Sequence, residues 1–577
     1  MLVALTTAAA AQRRITGRVE STTGEPLQGA SVNVVGTLTG TVTTTDGRFV
    51  LNLPTSAAVQ VSVRRLGYRR TVVDIPAAQN EVSVKLDKDV MRLDEVVVTG
   101  TATTIDRAHA ATATQTITAD EVSRVPALDL TNALQGKVVG ARINMNSGAP
   151  GGGGQIQIRG VTSLNGNGEP LFVIDGVLIS NASIPGGANS ITRASGTAPA
   201  STQDNMVNRL ADVNPNDIES IEVLKSAAAS SMYGSRASNG VIIITTKRGK
   251  SGTPKFSLSQ RYGAYSPLKL LGSRQFKDTT ALLESIGCTT GTACTGNVGA
   301  TYVRANIKTN TVPYYDYQSD LFDGGSGSFE TVGTMSGGTD NGSTRYYVSG
   351  TNKYDDGTML NTQARMQTLR MSLDQLFGTK WSVSAGLNMM RTLAARGLSN
   401  NDNSNTSPFY VYAYTPAVIN LNLLDATGSF PSNPFAGGGA SSSNPFQTMT
   451  YIKNEENVFR EIGNINVTYD VLGTSAHRVQ LRSIFGVDRF VQDNEVYSPN
   501  FLQYEPKDAL LGTSLQGDAI SRQWNGSLNG VWTFTPSNQW FVATGSAGLG
   551  SENRYSNVMR IQGRGLLPGV PLANQGT

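Results

Sequence analysis

The feature that most restricts the fold of this chain is an alternation of apolar and polar side chains that recurs from residue 255 onward. Between residues 381 and 389 it separates two sets, which are Trp381, Val383, Ala385, Leu387 and Met389 on one face and Ser382, Ser384, Gly386 and Asn388 on the other. Residues 368–373, 463–469 and 523–534 repeat the pattern. Successive side chains of a β-strand point to opposite sides of a sheet, so this period predicts strands with one apolar and one polar face.

The segments that join these predicted strands alternate in length. Residues 378–380 and 536–538 are short turns, whereas residues 264–325 and 390–450 are long and polar. Short turns on one side, long loops on the other and aromatic residues at the ends of the apolar faces are typical of a transmembrane β-barrel. A water-soluble β-sandwich also alternates and is the alternative.

The composition argues against several classes of protein. The net charge is +4 and no long basic run occurs, which disfavours a dedicated nucleic-acid-binding protein. Two cysteines and two histidines leave little for zinc binding or for a nucleophile–base pair. We therefore expect no catalytic residues, no metal, no cofactor and no enzymatic activity. No apolar run of about 18 residues is present, so no transmembrane helix is predicted.

Residues 13–88 are predicted to form a small β-sandwich. Alternating segments begin at Ile15, Ala30, Val59 and Val82, and Asp46-Gly47 is a dipeptide favoured in tight hairpin turns. Residues 1–12 have the apolar stretch and the Ala-x-Ala motif with which a secretory signal peptide ends, but they lack its basic start. We interpret residues 1–12 as the remnant of a signal peptide, with a chance match as the alternative.

Residues 115–249 are predicted to form an α+β domain. A capping box at residues 118–121 starts a short helix, and residues 155–160 and 170–177 are predicted strands. The domain ends with SIEVLKSAAASSMYGSRASNGVIIITTKRG, residues 220–249, which alone would fit a strand–turn–strand unit of many soluble proteins. The glycines at 151–154 precede a strand and lack the Lys-Ser/Thr of a phosphate-binding loop.

Taken together, these motifs resemble the SusC/RagA family of TonB-dependent outer-membrane transporters. The resemblance rests on ALQGKV, IRG, PLFVIDG, NPNDIESIEVLK and YGSRASNGVI, which follow one another in the family's order within about 130 residues. In this family they build the plug domain that closes the barrel. The expected plug signature residues are Arg159, Gly160, Asp175, Gly176, Asp217, Glu219, Glu222, Tyr233, Gly234, Arg236 and Gly240.

The resemblance implies a division of the whole chain. Residues 13–88 are expected to be a carboxypeptidase-regulatory-like (transthyretin-like) sandwich, residues 115–249 the plug and residues 250–577 part of the barrel. The predicted fold class is therefore mainly β, with an α+β plug and the N-terminal part of a 22-stranded antiparallel transmembrane barrel. Only about a dozen strands can be counted after residue 250, so we expect a C-terminally truncated fragment; a complete but small barrel is the alternative.

Residues 93–114 are expected to contain a TonB box and a linker. The box comprises Asp94, Glu95, Val96, Val97, Val98, Thr99 and Gly100, whose β-branched residues favour a strand. The polar linker offers this strand no partner, and an unpaired strand can attach to the sheet edge of another protein through main-chain hydrogen bonds. The wording DEVVVTG resembles the TonB box of the family. The alternative is a last strand of the preceding sandwich.

Two further expectations concern loops. Cys288 and Cys294 lie in a polar Gly/Thr segment, and two nearby cysteines in an exported loop predict a disulfide; a metal-binding pair is the alternative. Residues 178–210 are polar and rich in small side chains, which predicts a mobile loop. Residues 147–154 and 178–206 are expected to face the substrate.

The family resemblance implies TonB-dependent active import across the outer membrane of a Gram-negative cell. The implied partners are TonB with its energising inner-membrane proteins, a SusD-like surface lipoprotein that acts as a lid, and outer-membrane lipid. The implied substrate is a small-to-medium oligosaccharide or a peptide, and nucleic acid is not a partner. The alternatives are an iron-chelate or cobalamin receptor and a secreted adhesion or structural β-protein.

Overall fold

The computed structural model is mainly β, as predicted, and combines a sandwich, a mixed α/β domain and one large antiparallel sheet. It describes residues 13–21, 24–35, 39–53, 57–65, 71–86, 96–99, 103–106, 114–123, 129–145, 148–160, 168–188, 191, 207–225, 233–288, 294, 296–308, 311–322, 327–340, 342–378, 380–398, 406–435, 443–474, 476–505, 508–535 and 541–575. The predicted signal remnant, residues 1–12, lies outside these ranges. None of the helices within them is both long enough and apolar enough to cross a membrane.

The first domain is a sandwich of two sheets. Its strands are β1 (Arg13–Ser21), β2 (Ser31–Val34), β3 (Gly40–Val42), β4 (Arg48–Leu53), β5 (Val59–Arg64), β6 (Thr71–Ile75) and β7 (Glu81–Leu86). One sheet has the order β4-β1-β7 and the other β3-β2-β5-β6. Alternate residues such as Ile15, Leu51 and Val63 point inward and share one apolar core. The predicted turn at Asp46-Gly47 is confirmed, with Gly47 at φ +77°.

After two short linker strands, β8 (Val96–Thr99) and β9 (Thr103–Asp106), the chain forms the predicted plug domain. The plug contains β10 (Thr114–Thr118), α1 (Ala119–Ser123), α2 (Leu130–Leu134), β11 (Ala141–Met145), β12 (Gly154–Ile158), β13 (Leu171–Ile174), β14 (Val177–Ile179), β15 (Ile218–Leu224) and β16 (Val241–Thr246). The main sheet has the order β10-β15-β16-β13-β14, and β11 pairs with β12. The capping box is confirmed, because Glu121 accepts a hydrogen bond from the Thr118 backbone N–H at 2.9 Å.

The third part is a nine-stranded antiparallel sheet, which we call the wall. Its strands are β17 (Lys255–Ala264), β18 (Gly327–Gly338), β19 (Thr344–Asp356), β20 (Gln363–Phe377), β21 (Trp381–Ala395), β22 (Lys453–Gly473), β23 (His477–Ser498), β24 (Thr513–Phe534) and β25 (Ala543–Arg564). Each strand pairs with the next in the chain, and β17 and β25 are the edges of the sheet among the described residues.

The two faces of the wall differ as the alternation predicts. One face is apolar and points away from the plug: Trp381, Leu387, Ile465, Phe485 and Leu528 each expose more than a third of their surface. Rings collect where this face meets the short turns, and the ring centres of Trp381 and Tyr469 are 4.4 Å apart. The other face packs on the plug, and Met390 and Ile462 contribute to the plug's apolar core. The face with exposed apolar side chains is the one expected to contact lipid.

The connections of the wall alternate in length, as predicted, but the long ones are more ordered than their polar sequences suggest. Residues 265–326 and 396–452 contain α3 (Thr279–Ser285), α4 (Val298–Asn306), α5 (Tyr317–Leu321), α6 (Pro408–Tyr414) and α7 (Pro445–Tyr451). Leu282, Tyr317, Tyr412 and Phe446 belong to one apolar core built from both connections. A disulfide joins Cys288 and Cys294 between α3 and α4. We call this folded layer the cap.

Candidate functional site at the plug–wall interface

The tip of the β13–β14 hairpin attaches the plug to the wall. Asp175 and Gly176 have φ values of 48° and 89°, so they form the two-residue turn that Asp-Gly favours. The Asp175 carboxylate accepts hydrogen bonds from the backbone N–H (3.0 Å) and the hydroxyl of Thr246, and it lies 3.4 Å from the Arg370 guanidinium on β20. From β24, the Asn525 side chain donates to the Gly176 carbonyl at 3.1 Å. The turn is therefore held between two separate strands of the wall.

Asp217 attaches a second part of the plug. Burial raises the pKa of its carboxyl, and the Ser349 hydroxyl of β19, which donates to it, acts in the opposite direction. The neighbouring Asn214 side chain donates to Thr351 at 2.8 Å and to Thr368 at 3.1 Å. Polar groups of the plug are thus satisfied by polar groups on the inner face of the wall, as buried polar groups require.

Six charged side chains form a buried cluster between plug and wall. Each is at most 4 % exposed, and the set comprises Arg209, Asp212, Arg396, Glu456, Arg460 and Asp488. Arg460 occupies the centre, because its guanidinium contacts both carboxylate oxygens of Asp488 at 2.9 Å. It also donates to the carbonyl of Ser180 at 2.9 Å and lies 3.4 Å from Asp212. One wall arginine therefore holds two segments of the plug.

Arg209, in the short 3₁₀ turn Arg209–Asp212, makes the second link. Its guanidinium contacts Glu456 on β22 at 2.6 Å, and the same carboxylate accepts Arg396 at 3.0 Å. Within the plug, Arg209 lies 3.6 Å from Asp212. Burial raises the pKa of Asp212, against the lowering effect of Arg209 and Arg460. The six charges are coupled into one network that has almost no contact with solvent.

The charges of this network balance separately on each side of the interface. The plug contributes one arginine and one aspartate, whereas the wall contributes the pairs Arg396–Glu456 and Arg460–Asp488. Removing one partner of a buried ion pair is costly because an uncompensated charge remains. If plug and wall separate, every charge keeps a partner on its own side. The contact can therefore open into water without leaving an unpaired charge.

The described residues of the plug loops that we expected to be mobile and to face the substrate pack closely against the wall. The Ser180 N–H donates to Asp488 at 2.7 Å, and Ile184 packs against Val458 and Phe490 of the wall. Further along, Ile191 is buried in a core that lies below the cap. Residues 152–154 are buried as well. Small and polar residues occur in these segments because they fit closely against the polar inner face. Residues 146–147, 189–190 and 192–206 lie outside the described ranges.

The other predicted signature residues are distributed over the plug rather than gathered in one place. Arg159 and Gly160 have positive φ values in the turn after β12, and Gly234 and Gly240 have φ values of 75° and 98°. Tyr233 packs on the core around Val241, where burial raises its pKa, and Glu222 is buried whereas Glu219 is exposed. Arg236 reaches the wall and forms a 2.6 Å ion pair with Glu552 of β25. Asp175, Gly176, Asp217 and Arg236 are thus the signature residues that contact the wall.

The predicted TonB box is not an isolated strand. Val96–Thr99 pairs antiparallel with Thr103–Asp106, so the linker supplies the partner that we expected to be lacking. The linker can form this partner strand because its Thr103, Thr104 and Ile105 are β-branched and favour a strand. The alternative assignment to the sandwich is also wrong, because neither of its sheets includes β8. Asp94, Glu95 and Gly100 lie outside the described residues.

Comparison with known families assigns both N-terminal domains. Residues 106–241 match the TonB-dependent receptor plug domain, and residues 15–98 match the CarboxypepD_reg-like domain. The chain is also 43% identical to the TonB-dependent receptor SusC of Bacteroides thetaiotaomicron over 243 residues, which are 42% of this chain and 22% of that receptor. Over this part, the chain is similar to SusC-type TonB-dependent receptors. The resemblance inferred from its motifs is confirmed.

A second relative extends the similarity of the chain into the wall. TonB-dependent receptor P3 of Formosa agariphila is 25% identical over 567 residues, which cover 97% of this chain and 49% of the relative. The chain therefore spans about half of the length of that relative. It matches a smaller share of the other curated relatives. The similarity includes the strands of the wall as well as the two N-terminal domains.

The fold of the chain also matches that of solved structures. The RagAB peptide importer in its open-open state superposes with a TM-score of 0.60 at 18% identity, covering 84% of this chain and 52% of the compared chain. The closed-closed state gives a TM-score of 0.59 at 18% identity, covering 83% and 51%. At this identity the match establishes the fold. The predicted fold class and the assignment to the outer membrane are confirmed.

The charged residues at the centre of the interface were not among the predicted site residues. Arg460 and Asp488 occur in alternating strands, on the faces that carry polar residues, and such faces are usually solvated. The sequence therefore gives only a weak indication that Arg460 and Asp488 are buried. Each is a charged residue on the polar face of a strand whose other face is apolar. Only the position of the plug against that face makes them buried.

Proposed function

We propose that this receptor imports an oligosaccharide- or peptide-class nutrient across the outer membrane, energised by TonB and assisted by a SusD-like surface lipoprotein. The observation that carries the proposal is the plug–wall contact, in which the buried charges are balanced separately on each side. Apolar side chains would hold a plug that never moves more stably than charged ones, because buried ion pairs contribute little net stability. A charged contact of this kind suits a plug that is moved and returned.

The proposed coupling element is the segment Asp94–Gly100 ahead of the plug. Its strand β8 is joined to the plug through β9 and the linker, so a pull on β8 would be transmitted to residue 114 and the plug sheet. In the proposed cycle, TonB binds this strand by main-chain pairing and the plug–wall contacts yield. The receptor itself has no chemical step in this proposal.

Deletion of residues 94–100 is expected to reduce uptake to the level of a strain that lacks TonB. The assay is growth of a receptor-deletion strain, complemented with the intact receptor gene, on a panel of oligosaccharides and oligopeptides as sole carbon sources. A deletion of equal length in the linker, residues 107–113, is the matched control and is expected to keep most of the uptake. Unchanged growth of the 94–100 deletion on every substrate that requires the receptor would refute TonB coupling through this segment.

The substrate panel also separates the import hypotheses. A receptor for an iron chelate or cobalamin would be required under iron or cobalamin limitation and dispensable on every carbon source tested. An adhesion protein would be dispensable in both settings. We expect a requirement on a defined oligosaccharide or peptide source.

A further inference from the structure

The outer face of the wall has a sharp upper border. Trp381 on β21 and Trp532 on β24 are exposed aromatic residues near the short turns. Ten residues further from those turns, each strand has an outward-facing arginine, Arg391 on β21 and Arg522 on β24. A transmembrane β-strand crosses the apolar core of a membrane in about 9–11 residues. These arginines therefore lie where the apolar core ends, on the side of the long connections and the cap. That side faces the cell exterior in outer-membrane barrels.

Four arginines occupy this border on four of the five strands β20 to β24 of the outer face. They are Arg365 on β20, Arg391 on β21, Arg489 on β23 and Arg522 on β24, and we call them the arginine row. Each arginine is an even number of residues away from an outward-pointing apolar residue of its own strand, so both point to the same face. These apolar residues are Leu369, Leu387, Val487 and Trp524. The row thus forms the upper edge of the lipid-facing surface.

The arginine row has a deficit of acidic partners. Arg489 pairs with Glu461 at 3.0 Å, whereas Arg365 lies over the Tyr354 ring at 5.1 Å and Arg391 contacts the neutral Asn457 at 3.5 Å. In the described part of the chain, Arg522 has no acidic side chain within ion-pair distance. Its cross-strand neighbours are Arg489 and Tyr555. Like charges directly opposite each other destabilise a sheet, and Glu461 compensates only one of the two arginines, so the pair Arg489 and Arg522 keeps one positive charge that favours an anion.

An apolar groove opens directly below the row. It has a volume of about 390 Å³, and its lining includes Met371, Leu373, Leu387, Gly463, Ile465 and Phe485. Gly463 and Ala385 form its floor because their small side chains leave a depression between larger ones. Val487, which also lines the groove, is only two residues from Arg489 on the same strand. The groove therefore runs up to the arginine row.

We propose that the groove and the arginine row bind one lipid of the outer leaflet that carries a phosphorylated headgroup. An acyl chain fills the groove, where it gains van der Waals contacts that a flat surface would not offer. The phosphate lies between Arg489 and Arg522, whose planar guanidinium groups suit two-point contact with phosphate oxygens. This inference depends on the position of the receptor in the membrane and is independent of the proposed import.

The juxtaposition of the two features selects a lipid over other occupants. A free anion would use the arginines alone, and a neutral lipid or an apolar protein surface would use the groove alone. An amphiphile with a phosphate beside its acyl chains uses both, at the height where the apolar core of the membrane ends. The site is therefore assigned by the combination of charge and groove, and its two halves can be tested separately.

The test is native mass spectrometry of the intact purified receptor in a neutral detergent, titrated with dipalmitoyl phosphatidic acid, dipalmitoyl glycerol or inorganic phosphate. Arg489→Gln with Arg522→Gln is expected to weaken the binding of phosphatidic acid about 25-fold, since each interfacial basic residue contributes about fivefold to the binding of an anionic lipid. Gly463→Leu, which fills the groove, is expected to weaken the binding of both lipids. The matched control is Lys453→Gln, because Lys453 is a basic residue of the same sheet that lies ten residues from Gly463 along β22, outside the groove.

Three results would overturn the proposal. Equal binding of phosphatidic acid by the wild type and the double arginine variant would remove the phosphate site. Binding of inorganic phosphate as tight as that of phosphatidic acid would indicate an ion site without a lipid. Unchanged lipid binding by Gly463→Leu would remove the groove from the site. Circular dichroism and growth on the receptor's substrate distinguish a folded, importing variant from a misfolded one, so failure of this proposal is separate from failure of import.

Discussion

Arg460→Met is expected to destabilise the docked plug by about 3–5 kcal/mol, the usual cost of removing one partner from a buried ion pair. The change leaves Asp488 without its two-point contact and removes donors from the carbonyls of Ser180 and Arg209. It also removes one of the two cations near Asp212. The measurement is hydrogen exchange in the intact receptor, read at the Ser180 amide, which donates to Asp488. We expect this amide to exchange at least a hundredfold faster, as about 3 kcal/mol implies.

Arg478→Met provides the matched control for this prediction. Arg478 lies on the neighbouring strand β23 and pairs with Asp470 of β22 at 3.1 Å, but its side chain is 52% exposed. An exposed ion pair contributes at most about 1 kcal/mol, so protection at Ser180 should hardly change. The double variant Arg460→Met with Asp488→Leu should recover part of the lost stability, because it leaves no unpaired carboxylate at this site. This recovery is read from the midpoint of thermal unfolding, since Asp488→Leu also removes the acceptor of the Ser180 amide. Equal effects of Arg460→Met and Arg478→Met would show that the buried network does not hold the plug.

Gly249→Ala is expected to destabilise the receptor by about 3 kcal/mol through a backbone collision. Gly249 is buried at the junction of plug and wall, and a Cβ atom there would overlap the backbone N, C and O atoms of Tyr346 on β19. A flexible side chain could move aside, but a paired strand in the interior of the wall cannot. The measurement is the midpoint of thermal unfolding of the intact receptor in detergent, with the yield of folded protein in the outer membrane as a second readout.

Gly148→Ala is the corresponding control in the plug. An added Cβ atom at Gly148 would have no neighbouring heavy atom within 4 Å, and its backbone is not in the left-handed region. This variant should unfold within a degree or two of the wild type, because a compatible Gly→Ala change is neutral or mildly stabilising. If both variants unfold alike, the junction at Gly249 is less tightly packed than the structure indicates.

Local patterns in the sequence identified the strands of the wall but not their lengths. The alternation around residue 381 ends near Met389, whereas β21 continues to Ala395. The reason is that the apolar side chains mark only the part of a strand that contacts lipid. Beyond Arg391, β21 ends in Thr392-Leu393-Ala394-Ala395, where apolar residues occupy both faces, so the period of two is lost. Strands β22 to β25, with 21 or 22 residues each, extend furthest beyond that border.

The cap was missed for a different reason. Its helices have five to nine residues, which is too short to show a helical period. Its core also joins residues far apart in the chain, as the hydrogen bond from the Tyr317 hydroxyl to the Ile419 carbonyl illustrates. The plug–wall contacts share this limitation. Asp175 and Asp217 stood out through their motifs, but Arg370 and Ser349, which they contact, have no local signal.

The separate charge balance of plug and wall has a consequence for what the passage can select. With the plug withdrawn, the inner surface at the height of Arg460 would present two closed ion pairs, Arg396–Glu456 and Arg460–Asp488. The field of such pairs falls off faster with distance than that of single charges, and salt screens it further. In the proposed import, these two pairs would therefore neither attract nor repel a solute according to the sign of its charge. Discrimination between acidic, basic and neutral nutrients would then depend on other groups along the path.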